Sequence, residues 1–189
     1  MEDENLNDDM RLAERLAWLR VNQGWSLEVL AAQTGISRAT LSRIERGETS
    51  PTASLLGKLS AAYGLTTSRL LMALEDNPPE LIRHGQQSVW RDTATGFERR
   101  SVSPPAHGYR VELMTGKLQA GATISYDSPP VAGLEQHIWV LEGVLELALD
   151  QRQFRLEKGD SMRFLLFGTS AFHVPGPEDA HYLIAISRP

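Results

Sequence analysis

Arginines recur at 38, 43 and 46, interleaved with the hydroxyls of Ser37, Thr40 and Ser42. A guanidinium offers a rigid fork of N–H donors and a hydroxyl offers a short one. Such a set suits contact with anionic or hydrogen-bond-accepting surfaces. It lies in the stretch 27–47, LEVLAAQTGISRATLSRIERG, which reads as two short helices joined by a tight glycine turn. Ala31, Gly35 and Leu41 take the first, fifth and eleventh places counted from Ala31. Two closely crossing helices need a small residue at their contact, here Ala31. The turn needs a left-handed conformation, which Gly35 adopts without a Cβ clash. The second helix needs an inner apolar anchor, supplied by Leu41 and Ile44 at i,i+3 spacing. Ser37 stands where an N-cap belongs. A pair of this kind presents its second helix to the major groove of DNA.

The flanking stretches supply the elements that must hold this pair. Residues 11–21 place Leu12, Ala13, Leu16, Ala17 and Leu19 on a helical repeat, with Asn7 or Asp8 as cap. Ser26 caps the next helix. Leu55, Leu56, Leu59 and Ala62 mark a helix over 52–63, and Leu65 with 70–74 marks a fifth. The words LRVNQGWSLEVLA, GIS, LSRIERGETSP and LGKLSAAYGL resemble the lambda-repressor-like helix-turn-helix domain of the Xre family of bacterial regulators. The resemblance covers about residues 9–74 and implies a five-helix DNA-binding domain. Leu27 stands where many members carry a phosphate-touching Gln.

That resemblance assigns roles along the second helix. Arg38, Ala39 and Arg43 match the positions that reach base edges: the arginines can fork onto guanine O6 and N7, and Ala39 can touch a thymine methyl. Ser37, Thr40, Ser42 and Arg46 complete the DNA-contacting set, with Thr40, Ser42 and Arg46 suited to the backbone. Arg20 and Glu45 match a family ion pair that ties the first helix to the third. Charge distribution agrees with a DNA-facing module. Residues 10–72 hold eight Arg or Lys against four Glu, a net +4, inside a chain of net −5. A basic module in an acidic chain suits phosphate contact. The first nine residues carry five acids, and 1–8 read as a disordered acidic tail.

After 75–87, a polar stretch broken by Pro78 and Pro79 that reads as a linker, the hydrophobic period changes to two. Strands are expected over 88–92, 97–101, 109–118, 123–126, 137–141, 144–149, 154–156, 162–167, 171–174 and 182–186, with Gly, Pro and Asp between them. That spacing argues a sandwich or barrel over 88–189. HIWVLEGVLELALD and LEKGDSMRF are strand–turn–strand words that resemble the cupin fold, a double-stranded β-helix or jelly roll, over a core of 107–187. A helix-turn-helix followed by a cupin resembles a class of bacterial regulators whose barrel is a sensor and dimerisation domain. The fold class expected is therefore multidomain α + β.

Cupin enzymes hold a divalent metal with two His of an H-x-H, a Glu seven residues before the turn glycine, and a later His. Counted from Gly143 the Glu place is Gln136, the H-x-H region reads SPPVAG, and the later His place, aligned from Gly159 and Asp160, is Ser170. An amide and a hydroxyl are poor substitutes for imidazoles and a carboxylate, so no metal or other cofactor is expected. His84, His107, His137, His173 and His181 read as ordinary surface or core residues. Alternation places Gln136, Ile138 and Val140 on one face, opposite Ser170 and Phe172. With Met114, Tyr126, Met162 and Phe164 they form an expected effector pocket, mostly apolar with a few polar groups. Filling by side chains is the alternative.

No cysteine occurs, which rules out disulfides and thiolate sites. No apolar run reads as a signal or a membrane span, so a cytoplasmic location is expected. The composite expectation is a sequence-specific transcriptional regulator and not an enzyme. Its partners are double-stranded DNA, a small-molecule effector and a second copy of itself. The alternatives are a helix-turn-helix–cupin metalloenzyme of the non-haem iron oxygenase or epoxidase type, and a DNA-binding antitoxin or scaffold.

Overall fold

The computed structural model describes residues 2–71, 79–106 and 109–187, with the backbone alone over 2–9. Among the described residues five α-helices come first: α1 (Glu2–Asn22), α2 (Leu27–Thr34), α3 (Arg38–Glu45), α4 (Ala53–Tyr63) and α5 (Thr67–Leu71). Their starts follow the local chemistry read from sequence. The hydroxyl of Ser26 accepts from the Val29 N–H, that of Ser37 from Thr40 and that of Thr52 from Leu55, each satisfying a first-turn donor. Gly35, at φ 66°, closes α2 in the left-handed region. At the amino end the structure departs from expectation. Helix α1 begins at Glu2, so the tail over 2–8 and the caps expected at Asn7 and Asp8 lie within it. Once 11–21 has nucleated a turn, each further residue adds one backbone hydrogen bond at little cost. Residue 1, residues 72–74 of the expected fifth helix, the first part of the linker (through residue 78) and His107 lie outside the described residues.

Leu12, Leu16, Leu30, Ile36, Leu41, Ile44, Leu56, Leu59 and Leu70 form the helical core, with Tyr63 stacked on Trp25 at 5.5 Å between ring centroids. Arg20 and Glu45 form a two-pronged ion pair, Nε–Oε1 2.7 Å and Nη2–Oε2 2.8 Å, while Arg20 Nη1 donates to the Trp25 carbonyl at 2.9 Å. The Glu45 carboxylate holds the Arg20 guanidinium above its ordinary range. This pair fixes α3 against α1 from the inner side and leaves its outer side free.

Among the described residues ten strands follow: β1 (Val89–Asp92), β2 (Phe97–Ser103), β3 (Val111–Leu118), β4 (Thr123–Tyr126), β5 (Leu134–Glu142), β6 (Val144–Leu149), β7 (Arg152–Glu157), β8 (Ser161–Leu166), β9 (Ser170–His173) and β10 (Ala180–Ser187). They make two antiparallel sheets, ordered β1-β2-β3-β10-β5-β8 and β4-β9-β6-β7. The inner faces pack a core that includes Met114, Ile138, Val140, Leu147, Phe164, Phe172 and Tyr182. The turn after β5 uses Gly143 at φ 73°, where a Cβ would also run into the Asp179 backbone.

The two domains are in contact. Trp90 packs against both cores, and Ala53 belongs to the barrel's. Gly57 of α4 lies against the Tyr126 ring so closely that a Cβ there would overlap it.

One test follows from the Arg20–Glu45 pair. Both side chains are largely buried, so Glu45→Ala leaves a guanidinium without its counter-charge. Denaturant unfolding of the isolated variant should show a loss of about 3 kcal/mol. A loss within the range of an exposed pair would mean that water already screens the contact.

Candidate DNA-binding face and barrel cavity

The burial pattern of α3 separates two jobs. Leu41 and Ile44 are buried, Thr40 and Ser42 are half-buried, and Ser37, Arg38, Ala39, Arg43 and Arg46 are exposed. The outer face thus presents three guanidinium groups around a small apolar residue, on a helix held from behind.

Each of these cations has a local acidic partner. Arg38 Nε lies 2.6 Å from Glu28 Oε1, with both side chains 64% exposed. Arg46 reaches Glu48 at 2.6 Å and the Ser42 hydroxyl at 2.6 Å, while Arg43 stands 3.8 Å from the same Glu48. The Ser37 and Thr40 hydroxyls bond to each other at 2.8 Å. Hydrogen bonds from its own backbone and from Ser26, and then from Arg38, hold the Glu28 carboxyl below its usual range; the Arg46 guanidinium does the same for Glu48. Exposed pairs of this kind contribute roughly 0–1 kcal/mol. They orient the arginines yet are readily exchanged for phosphate or guanine.

The second feature is a cavity of about 80 Å³ at the end of the barrel that faces the helical domain. Of the residues expected to line it, Met114, Tyr126, Gln136, Ser170 and Phe172 do so. Ile138, Val140, Met162 and Phe164 do not. Ile138 and Val140 have the inward parity of Gln136, since β5 alternates from buried Leu134 through exposed Glu135 to buried Val140. They sit further along the strand, where the two sheets close on each other and side chains fill the space. Phe164 and Met162 are likewise absorbed by packing on β8, and Leu166 takes the lining place.

The cavity also has walls that sequence reasoning missed. Gly57, Thr66 and Thr67 come from the helical domain, and Phe97, Arg99 and Tyr182 from β2 and β10. Three buried charges of the barrel, Arg99 of the cavity wall among them, are met by the helices. Asp92 Oδ2 accepts from the Ala53 N–H at 2.9 Å, at the start of α4. Both oxygens of Glu112 accept from the Thr66 hydroxyl, at 3.0 and 2.9 Å. Arg69 Nε lies 3.5 Å from the same carboxylate, close enough for attraction but without hydrogen-bond geometry. The Arg99 guanidinium donates to the Ser68 hydroxyl. The available signal was parity: Arg99 shares the inward face of Phe97, and Glu112 that of Met114.

The places a cupin metal would use hold Gln136 and Ser170, with the Met114 thioether and the Phe172 ring lining the same cavity. That donor set does not fit a divalent cation. Among the described residues no three of His, Cys, Asp and Glu converge on a point that could hold one. His137 lies on the outer face of β5, bonded to Glu135 at 2.7 Å, and His173 bonds to Thr123 at 2.8 Å. No described helix is long and apolar enough to cross a membrane.

Comparison with known proteins agrees with this anatomy. Residues 16–70 match the HTH_3 helix-turn-helix family. The chain is 30% identical over 178 residues to the HTH-type transcriptional regulator SutR of Escherichia coli (strain K12), covering 94% of this chain and 95% of that one. It is 28% identical over 170 residues to the HTH-type transcriptional regulator PuuR of the same organism, covering 85% of this chain and 84% of that one. Among solved structures, an HTH_3 family transcriptional regulator from Vibrio cholerae superposes with a TM-score of 0.78 at 26% identity, over 98% of this chain and 99% of that one. With its arginine-bearing α3 and the two-sheet β domain behind it, the chain belongs to the HTH_3, Xre-like family of HTH-type transcriptional regulators.

Proposed function

We propose that this regulator reads a specific operator through α3, that its cupin domain binds a small effector in the barrel cavity, and that occupancy of the cavity modulates operator affinity. In this reading Arg38, Ala39 and Arg43 touch base edges, while Ser37, Thr40, Ser42 and Arg46 position the helix on the backbone. The observation that carries the effector role is that the cavity is walled by both domains. A ligand in contact with Gly57, Thr66 and Thr67 touches the body that carries α3. It can therefore favour one inter-domain arrangement over another, and a coupling of about 1–3 kcal/mol suffices for control. The barrel binds rather than transforms, because Gln136 and Ser170 stand where metal ligands would be needed.

One recognition helix spans few base pairs, so the working unit is a homodimer reading half-sites about 34 Å apart. The outer face of the six-stranded sheet supports this. Trp139 on β5 and Leu165 on β8 are 51% and 55% exposed there, with His137 and Arg163 between them, and a second copy seated on this face would cover both.

Genomic footprinting of the native chain should reveal protected sites with paired half-sites; no protection under any growth condition would end this reading. Against such a site, Arg38→Ala should cost about 1–3 kcal/mol and relax base preference. Equal losses on all sequences would move Arg38 from the bases to the backbone. Glu48→Gln should release Arg43 and Arg46, tighten non-specific binding and steepen the salt dependence by about one phosphate contact. Salt-titrated fluorescence anisotropy reads both variants. Trp139→Glu should convert the dimer to a monomer by light scattering.

A further inference from the structure

The cavity contains a guanidinium that the protein leaves largely unused. Arg99 on β2 is only 8% exposed and lines the cavity. Among the described residues its one hydrogen-bond partner is the Ser68 hydroxyl, and it forms no ion pair. Glu112, the acid that acts on it through space, is engaged by Thr66 and Arg69 instead. A single hydroxyl occupies one of five N–H donors. The Arg99 nitrogens are nevertheless not among the polar atoms sealed off without a partner, so they keep access to the cavity.

Other polar groups share that space. Tyr126, Gln136, Ser170 and Tyr182 line the cavity, and their side-chain polar atoms are likewise not among those sealed off without a partner. Burial raises the Tyr126 phenol to about 12 and pushes that of Tyr182 up as well, so both remain protonated donors at neutral pH. The other walls are largely apolar, including Met114, Ile124, Phe172 and Ile184. Buried polar groups in native proteins are hydrogen-bonded as a rule. One cation and several neutral groups converging on an apolar hollow describe a receptor for an anion with a hydrocarbon body.

We infer that the cavity takes a small organic monoanion, a carboxylate on a short apolar chain, with the carboxylate on Arg99 in competition with Ser68. This rests on the effector role proposed above and names the chemical class. A carboxylate matches the guanidinium fork in two parallel bonds. A dianion such as sulfate or phosphate would need a second cation, and the nearby Glu112 opposes it. At about 80 Å³ the cavity is about half the ~150 Å³ hollow that holds the six carbons of benzene, so the body has roughly one or two carbons. Two ties fasten α5 to the barrel, Ser68 to Arg99 and the Thr66–Arg69 pair to Glu112. A carboxylate that draws the guanidinium off Ser68 removes the first and loosens the helical domain. By linkage, a chain already lacking that tie binds the acid more tightly.

The test uses the full chain, with calorimetry and thermal shift against acetate and propionate, their neutral amides, inorganic sulfate and inorganic phosphate. The expected result is binding of an acid at millimolar concentration and no binding of its amide. Arg99→Gln should weaken that binding by about tenfold or more. Arg99→Lys, which keeps the charge without the fork and so guards against a variant that fails to fold, should weaken it less. Ser68→Ala should tighten it. Amides that bind as well as acids, no response to either acid, tighter binding of sulfate or phosphate, or an affinity unmoved in both Arg99 variants each overturn the assignment. Acid binding lost in Arg99→Gln but without effect on operator affinity leaves the ligand class standing and overturns the effector role. An operator response to a neutral compound, with no acid bound, does the reverse.

Discussion

Three buried charges in the barrel wall take partners from the helical domain, and the relation between the two halves of this regulator follows from those contacts. Asp92, Arg99 and Glu112 are each under a tenth exposed. A buried ion without a partner costs several kcal/mol. Asp92 receives the first N–H of α4, where the helix dipole also favours a carboxylate. Glu112 receives Thr66 and attracts Arg69, and Arg99 reaches Ser68. Undocking the domains would strip all three of these partners together. The helical domain therefore sits where it does because of charges in the strands, whatever path the chain takes between the two.

Much of this architecture was legible in the chain because it rests on local rules. Ser26, Ser37 and Thr52 announce helix starts through their hydroxyls, and Gly35 announces a stop through its missing Cβ. Along β5 the alternation of Gln136, His137, Ile138 and Trp139 separates inner from outer face without ambiguity. Alternation says nothing about depth, however. Ile138 has the correct face but sits beyond the closed end of the cavity, and only the meeting of two sheets decides that. Arg99 and Glu112 were visible as charges at inward positions. Their meaning was hidden because the neighbours that satisfy them, Ser68 and Thr66, lie 31 and 46 residues away in another domain. Local period carries no information about docking between domains.

In the proposed reading, Gln136 and Ser170 suit the barrel to binding instead of catalysis. A divalent ion would collect lone pairs from imidazole and carboxylate and would itself supply the positive charge of the site. With an amide and a hydroxyl in those places, the positive charge comes from Arg99, on a different strand and nearer the helical domain. A guanidinium fixes the orientation of what it binds but opens no coordination position for water or oxygen. Moving the charge there would also bring the proposed ligand into contact with α4 and the segment leading into α5.

The strengths of the two sets of ion pairs then divide the labour. On the outer face of α3, Arg38, Arg43 and Arg46 hold Glu28 and Glu48 in open water, where such pairs contribute little and yield readily to phosphate. At the domain boundary the ties are shielded from water, few in number and directional, so exchanging one of them shifts an equilibrium between arrangements. In the proposed reading DNA competes with contacts that are cheap to break, whereas an effector competes with a contact on which the placement of α3 depends. A regulator needs that asymmetry. If the reading face were held by strong pairs it would not open for an operator. If the boundary were held by weak ones, occupancy of the barrel would leave the helices where they were.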